Sequence, residues 1–519
     1  MITINTQTFT GPLDGVVTNT LRTLDTNPMA NAVGIDLFAM VGPRTYVDTK
    51  ERNKYAGAET FFREFTGTLI VCLSASYFAR GIAKIANKFV NPDIKINPNS
   101  WFSDESLKFL QSTRNGADNT RQYVSDILSS MSGIDGRNTK KFKDIDWDKV
   151  EWVDEKKWSD YKWDNKNFKN INLKDKNSII SAIEELIENK SISLKDTKKM
   201  QSILEVRITN ALGADKIMVQ NADQKLSTSV HNILRDTIDL GRDVFTNKNI
   251  NSDEAIKKLL KINKLKSIGA LALASILGLT NQWLNRKITE KRTGTKGFVG
   301  DTDYRTKVKD KASTIDSSRS LLVLKFLASL GMAFMVAVVM KVKSPKDFLK
   351  KLEFTGPVNS GNVIKTVYAS TLIGRFLASD SKDELRETVT RDYLGFLNWL
   401  VFGGFAAKGV ANMLDKDKKV LFNISKNGKG LKHWLNDLSL KSHNEIAAKG
   451  KLFAKKNMWK LNLAHASGLA YSTVALGILL PKLNILITNK KQKGKPVQQF
   501  EKLSFEGFLN ASDNISKIA

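Results

Sequence analysis

The sequence predicts an all-α protein, helical and embedded in a membrane, with a pseudo-symmetric duplicated helical hairpin and an inserted polar helical region. Three observations carry that expectation. The run of twenty residues from Leu321 to Met340 is apolar except for Lys325. Further apolar stretches of similar length recur along the chain, and one short charged segment is met twice. About 20 consecutive apolar residues suffice for a helix to cross the hydrocarbon core of a bilayer, and a lysine near one end can reach the headgroups.

In chain order, residues 1–90 are expected to form the first hairpin region. Its apolar part, TLIVCLSASYFARGIAKI, begins at Thr68 and is preceded by the charged segment ETFFREFTGTL, Glu59 to Leu69. Residues 91–255 change character and are read as a polar insertion. Within it, DIDWDKVEWVDEKKWSDYKWDNKNFKN sets Trp147, Trp152, Trp158 and Trp163 among nearly continuous charge, with neither helical nor strand spacing. Such a segment is expected to be an extended arm whose aromatics dock on a protein partner. Nucleic acid is not the expected partner, because the surrounding Asp and Glu repel phosphate. Helical spacing returns at Ile179, Ile180, Ile183, Leu186 and Ile187, and a further helix is expected at Ser227 to Phe245.

Residues 256–345 read as central apolar helices, with IGALALASILGLTNQWL from Ile268 and the Leu321 run. Residues 346–420 carry the second hairpin, with FLNWLVFGGFAAKGVANML from Phe396. Residues 421–519 form a C-terminal helical region with ASGLAYSTVALGILLPKLNILI from Ala466. Each stretch holds small residues, which let helix backbones approach closely in lipid. Basic residues flank both ends of the Ile268 and Leu321 runs, so the usual one-sided basic bias does not fix an orientation. Between two and six spans are expected.

The duplication is read from residues 59–88 laid over residues 387–416 at a constant offset of 328, which gives nine identities without a gap. They include Glu59 with Glu387, Arg63 with Arg391, Gly67 with Gly395 and Gly81 with Gly409, while Glu64 and Asp392 keep their charge. The four glycines are expected to be helix-packing positions. Glu and Arg four apart share a helix face, so Glu59 is expected to pair with Arg63 and Glu387 with Arg391. Those charges, with Glu64 and Asp392, are the candidate site, either structural or lining a polar path near the pseudo-axis, because charge is expensive beside membrane helices. Upstream, Gly42 to Lys50 faces Gly374 to Lys382 after a shift of four residues, with Arg44 and Asp48 one helical turn apart and Arg375 and Asp380 five residues apart.

Composition bounds the function. Lys and Arg total 81 against 53 Asp and Glu, a formal charge of +28, so anionic lipid is the expected contact. The single cysteine, Cys72, forbids an internal disulfide, and the four histidines stand in no tight ligand spacing, so no metal is expected. No cofactor is expected either. TGTKGFVG at Thr293 and SKNGKGLKHW at Ser425 lack the ending of a phosphate-binding loop, and neither a nucleophile elbow nor HExxH is found. The expected function is therefore non-enzymatic, a scaffold or a carrier in a membrane, with a cell inner membrane as its place. The alternatives are a peripheral basic protein on anionic membrane and a soluble helical interaction module.

Overall fold

The structure is a computed structural model of the chain and describes residues 12–90, 102–134, 140–150, 173–293, 318–354 and 360–492, apart from 223, 425–427, 429 and 448. The chain is mostly helical, as the sequence predicts. Among the described residues, four helical runs are long and apolar enough to cross a membrane: Lys54–Ala86, Ser252–Arg292, Arg319–Val339 and Leu452–Ile487. They contain four of the five apolar stretches read from the sequence. The fifth, from Phe396, is helical but is not among the four.

The chain opens with α1 (Pro12–Thr26) and α2 (Pro28–Ile35), the second capped by Asn27, whose side chain accepts from the Met29 and Ala30 amides. A π-helical turn, Asp36–Val41, leads without a break into α3 (Gly42–Glu51). Asn53 caps α4 (Lys54–Leu69) by accepting from the Ala56 amide, a standard closure of an orphan donor at a helix start. The helix runs through a second π-turn, Ile70–Ser74, into α5 (Ala75–Val90).

The insertion then builds a core of its own from residues between Phe102 and Leu259. Its helices are α6 (Asp104–Asn115), α7 (Thr120–Ser130), α8 (Lys176–Glu188), α9 (Leu194–Leu212) and α10 (Val230–Leu240). The five apolar positions of α8 named above are all buried in that core. The all-helical expectation is corrected here. An antiparallel sheet in the order β1 (Met131–Gly133), β2 (Lys216–Gln220), β3 (Lys225–Ser229) completes the core, its short strands too brief for alternation to stand out in the text. Of the aromatic arm, Trp147 packs edge-on against Phe142 at 5.2 Å within the same chain. Trp152, Trp158 and Trp163 lie outside the described residues, as does the loop from Gly294 to Arg305.

From this core runs α11 (Ser252–Thr293), 42 residues long, whose Ala255, Ile256 and Leu259 belong to the insertion and whose Ala270 and Ala274 belong to the apolar bundle. Next comes α12 (Arg319–Val339), in which only 11% of the most apolar window is buried. Phe326 and Phe334 are 65% and 70% exposed, and Leu322, Leu327 and Val338 also face outward. A long apolar helix face uncovered by protein is consistent with contact with a membrane. Lys325 is corrected in detail: its ammonium donates to the Leu377 carbonyl at 3.0 Å rather than reaching outward. At the far end Lys341 adopts φ 53°, and the Lys351 ammonium, from α13 (Pro345–Lys351), donates to the Met340 and Lys341 carbonyls at 3.0 and 2.6 Å. This places a cation on the negative end of the helix dipole.

The second half contains α14 (Gly361–Ala378), α15 (Lys382–Leu397) capped by Ser381, a π-turn at Asn398–Phe402, and α16 (Gly403–Leu414). A two-stranded sheet, β4 (Phe422–Ile424) with β5 (Leu438–Leu440), follows, together with α17 (Gly430–Asn436) and α18 (His443–Ala447). Then α19 (Lys451–Ser472) passes through a π-turn, Thr473–Leu479, into α20 (Leu480–Gln492). Helix α11 packs on α4, α5 and α14, whereas the α19–α20 run packs on α15, α16 and the α3 segment.

Small residues make these approaches possible. A Cβ added to Gly278 of α11 would stand 2.6 Å from the Ser370 hydroxyl of α14, and one on Gly374 would stand 2.8 Å from the Leu279 Cα. On the other side Gly477 lies against Ala39 and Pro43 in the same way. Gly81 and Gly409, expected to pack helices, face open space instead: a Cβ at either would meet nothing within 4 Å.

Candidate functional site

Where α3, α4, α14 and α15 meet, the bundle buries a lattice of arginines and carboxylates. Arg44 comes from α3, Arg63 and Glu64 from α4, Arg375 from α14, and Arg391 and Asp392 from α15. All six are buried, and Arg44 is among the largest fully buried side chains. An unpaired ion there would be far too costly, so each must find a counter-charge.

The pairing follows a regular scheme. The Arg44 Nη1 and the Glu64 Oε1 are 3.2 Å apart, joining α3 to α4; the Arg375 Nη1 and the Asp392 Oδ1 are also 3.2 Å apart, joining α14 to α15. Arg63 donates to Glu64 and Arg391 donates to Asp392, each to its chain neighbour. Arg375 also crosses over, its Nη2 reaching the Glu64 Oε2 at 3.3 Å. The matching crossing would run from the Arg44 Nη2 to the Asp392 Oδ2, and those two atoms are both buried without a hydrogen-bond partner. Asp392 is one methylene shorter than Glu64 and meets two guanidiniums, those of Arg375 and Arg391, where Glu64 meets three.

Gly67 and Gly395 are what let the arginines cross. The Arg375 Nη2 lies 3.6 Å from where a Gly67 Cβ would be, and the Arg44 Nη2 lies 3.4 Å from the same point on Gly395. Arg44 is held further by its Nε, which donates to the Leu476 carbonyl at 3.0 Å.

The expected pairs one helical turn apart are corrected. Arg63 turns to Glu64 rather than to Glu59, and Arg391 turns to Asp392 while Glu387 takes Arg52 from the α3–α4 corner. Burial explains the change. An exposed helix face would favour pairs one turn apart, but these guanidiniums point inward, where the carboxylates of residues 64 and 392 already lie. Glu59 and Glu387 are also tied through their backbones: the Asn285 Nδ2 donates to the Glu59 carbonyl at 3.3 Å, and the Asn484 Nδ2 donates to the Glu387 carbonyl at 3.0 Å. Beside Glu387, Arg44, Arg52, Arg63, Arg391 and Asn484 line a polar notch with room for about one water.

A second group of chemically competent side chains lies elsewhere. Asp25 of α1, His443 of α18 and His465 of α19 present ligand atoms all within 4.8 Å of one another. The His443 Nδ1 is 2.9 Å and the His465 Nε2 is 3.7 Å from the Asp25 carboxylate. Burial pushes the Asp25 carboxyl up, but the His443 hydrogen bond and the charges of both imidazoles outweigh it and leave Asp25 below its usual value. Spacing could not have found this group, since 418 residues separate Asp25 from His443. The partner of α4 and α15 in α11 and α20, by contrast, carried a legible signal: LGLTNQWLN from Leu277 and LGILLPKLN from Leu476 place Asn285 and Asn484 alike.

Comparison of the chain with protein-family models, with curated proteins and with solved structures gives no match.

Proposed function

We propose that the chain is a non-enzymatic scaffold embedded in a membrane, built from two copies of one helical unit locked together by crossed arginines. The observation that carries this reading is the reciprocal seating of Arg375 over Gly67 and Arg44 over Gly395. Each arginine of one copy lies on the glycine of the other.

The element boundaries support the duplication independently of residue identity. Helices α4 and α15 are both 16 residues long and begin at Lys54 and Lys382, at the same offset of 328. The π-turns that follow, Ile70–Ser74 and Asn398–Phe402, keep that offset to the residue. The unit extends further than the hairpin. The run from Lys451 to Gln492 has the 42-residue length of α11. Lys451 stands 199 residues after Ser252, and Gly477 and Asn484 keep the same distance from Gly278 and Asn285. The offset drops because the insertion between α5 and α11 is far longer than the segment between α16 and α19. In the α3 segment the equivalent of Arg375 is Arg44, at an offset of 331, which revises by one residue the comparison that set Gly42 against Gly374.

A scaffold fits better than a carrier because the charges at the pseudo-axis satisfy one another and the notch beside them admits about one water. The exposed apolar face of α12 would meet lipid, and the basic surface would favour anionic headgroups, as in a cell inner membrane. The test uses Ile85 and Met413, exposed equivalents at the ends of α5 and α16. Spin labels on Ile85→Cys and Met413→Cys, in a Cys72→Ala background in nanodiscs, are expected to give one narrow distance distribution by pulsed electron resonance. Two populations whose ratio shifts with conditions would favour an alternating carrier and remove the scaffold reading.

A further inference from the structure

We propose that Asp25, His443 and His465 form a site for one divalent transition-metal ion of the zinc class, which clasps α1 to the α18–α19 segment. Ligand atoms around a tetrahedral zinc at ~2.0–2.1 Å lie roughly 3.3 Å apart. The distances of 2.9 Å from His443 and 3.7 Å from His465 to the Asp25 carboxylate bracket that value, so small side-chain movements complete the geometry.

The surroundings orient the ligands. The Asn462 Nδ2 donates to the Thr18 Oγ1 at 2.7 Å, which turns the Asn462 Oδ1 toward the His443 Nε2 at 2.9 Å. That acceptor puts a proton on the Nε2 of His443. The Nδ1 then faces the Asp25 carboxylate at 2.9 Å, a place that either a proton on the ring or a metal ion in its stead can fill. His443 is fully buried, and its backbone amide donates to the Asp25 Oδ2 at 2.9 Å, fixing the carboxylate. The third ligand atom, the His465 Nε2, is buried without a hydrogen-bond partner.

Two imidazoles and one carboxylate select a transition metal over magnesium or calcium, which take oxygen ligands. Three protein ligands leave one position for water. The ligands come from helices far apart in sequence, so the site exists only in the folded chain and binding must stabilise it. Nearby, the Arg22 Nε donates to the Asn444 Oδ1 at 2.7 Å, so the same junction is already closed on one side.

The test uses full-length protein without a histidine tag, purified in detergent, stripped with chelator and dialysed against zinc. Elemental analysis is expected to find one zinc per chain, with a Tm that rises with free zinc and not with magnesium. Asp25→Asn and His465→Gln are expected to lose the ion and to melt like the stripped wild type. Wild-type protein alone supplies a second readout: cobalt in place of zinc is expected to show the intense visible bands of low coordination. Failure to retain zinc, retention in both variants, or a cobalt spectrum identical to that of the ion in buffer would each overturn the proposal.

Discussion

Arg375→Met is expected to destabilise the protein by about 3–5 kcal/mol, the cost of removing one partner from a buried ionic lattice. The substitution keeps an unbranched apolar stem but strips Glu64 and Asp392 of the guanidinium that joins them. Both carboxylates are buried, so neither can recover the loss from water. Arg375→Lys is expected to fall between, since a single ammonium keeps the charge but cannot fork to two carboxylates. Thermal melts in detergent check the order: wild type highest, lysine next, methionine lowest. A methionine variant that melts with the wild type would mean that the crossing carries no stability.

Gly374→Ala is expected to destabilise by about 1–3 kcal/mol, the cost of forcing extra volume into a filled contact. Its added Cβ would fall on the backbone of Leu279 in α11, and backbone cannot rotate away as a side-chain tip can. Gly81→Ala should do the reverse. The position lies within α5 and a Cβ there meets nothing within 4 Å, so the change gains helix propensity of up to ~1 kcal/mol without a clash. The opposite signs separate a contact effect from a general response to replacing glycine. Equal effects from the two substitutions would contradict the α11–α14 packing described above.

The long apolar helices, the helix of the insertion from Ser178 and the offset of 328 were legible because each is a local pattern in the text. The lattice was only half legible. Its members Arg63, Glu64, Arg391 and Asp392 stood out as charges beside apolar helices, but the rule of pairs one turn apart applies to solvated faces and chose the wrong partners. Arg52, which bridges to Glu387, gave no signal, because its partner lies in the other half of the chain. The match between α11 and α19–α20 is written in LGLTNQWLN and LGILLPKLN, but at an offset of 199 that the unequal insertions set apart from 328. The short strands escaped for want of length, and Asp25 with His443 and His465 escaped because folding, not spacing, brings them together.

In a bilayer the exposed face of α12 would be solvated by lipid, and the buried charges would have to pair. The most direct measurement is fractionation of cells expressing the full chain, with the membrane pellet washed in high salt, then in alkaline carbonate, then in detergent. Retention through both aqueous washes and release only by detergent is the expected result. Release by salt or carbonate would contradict membrane embedding and leave Leu322, Phe326 and Phe334 as a surface for protein rather than lipid.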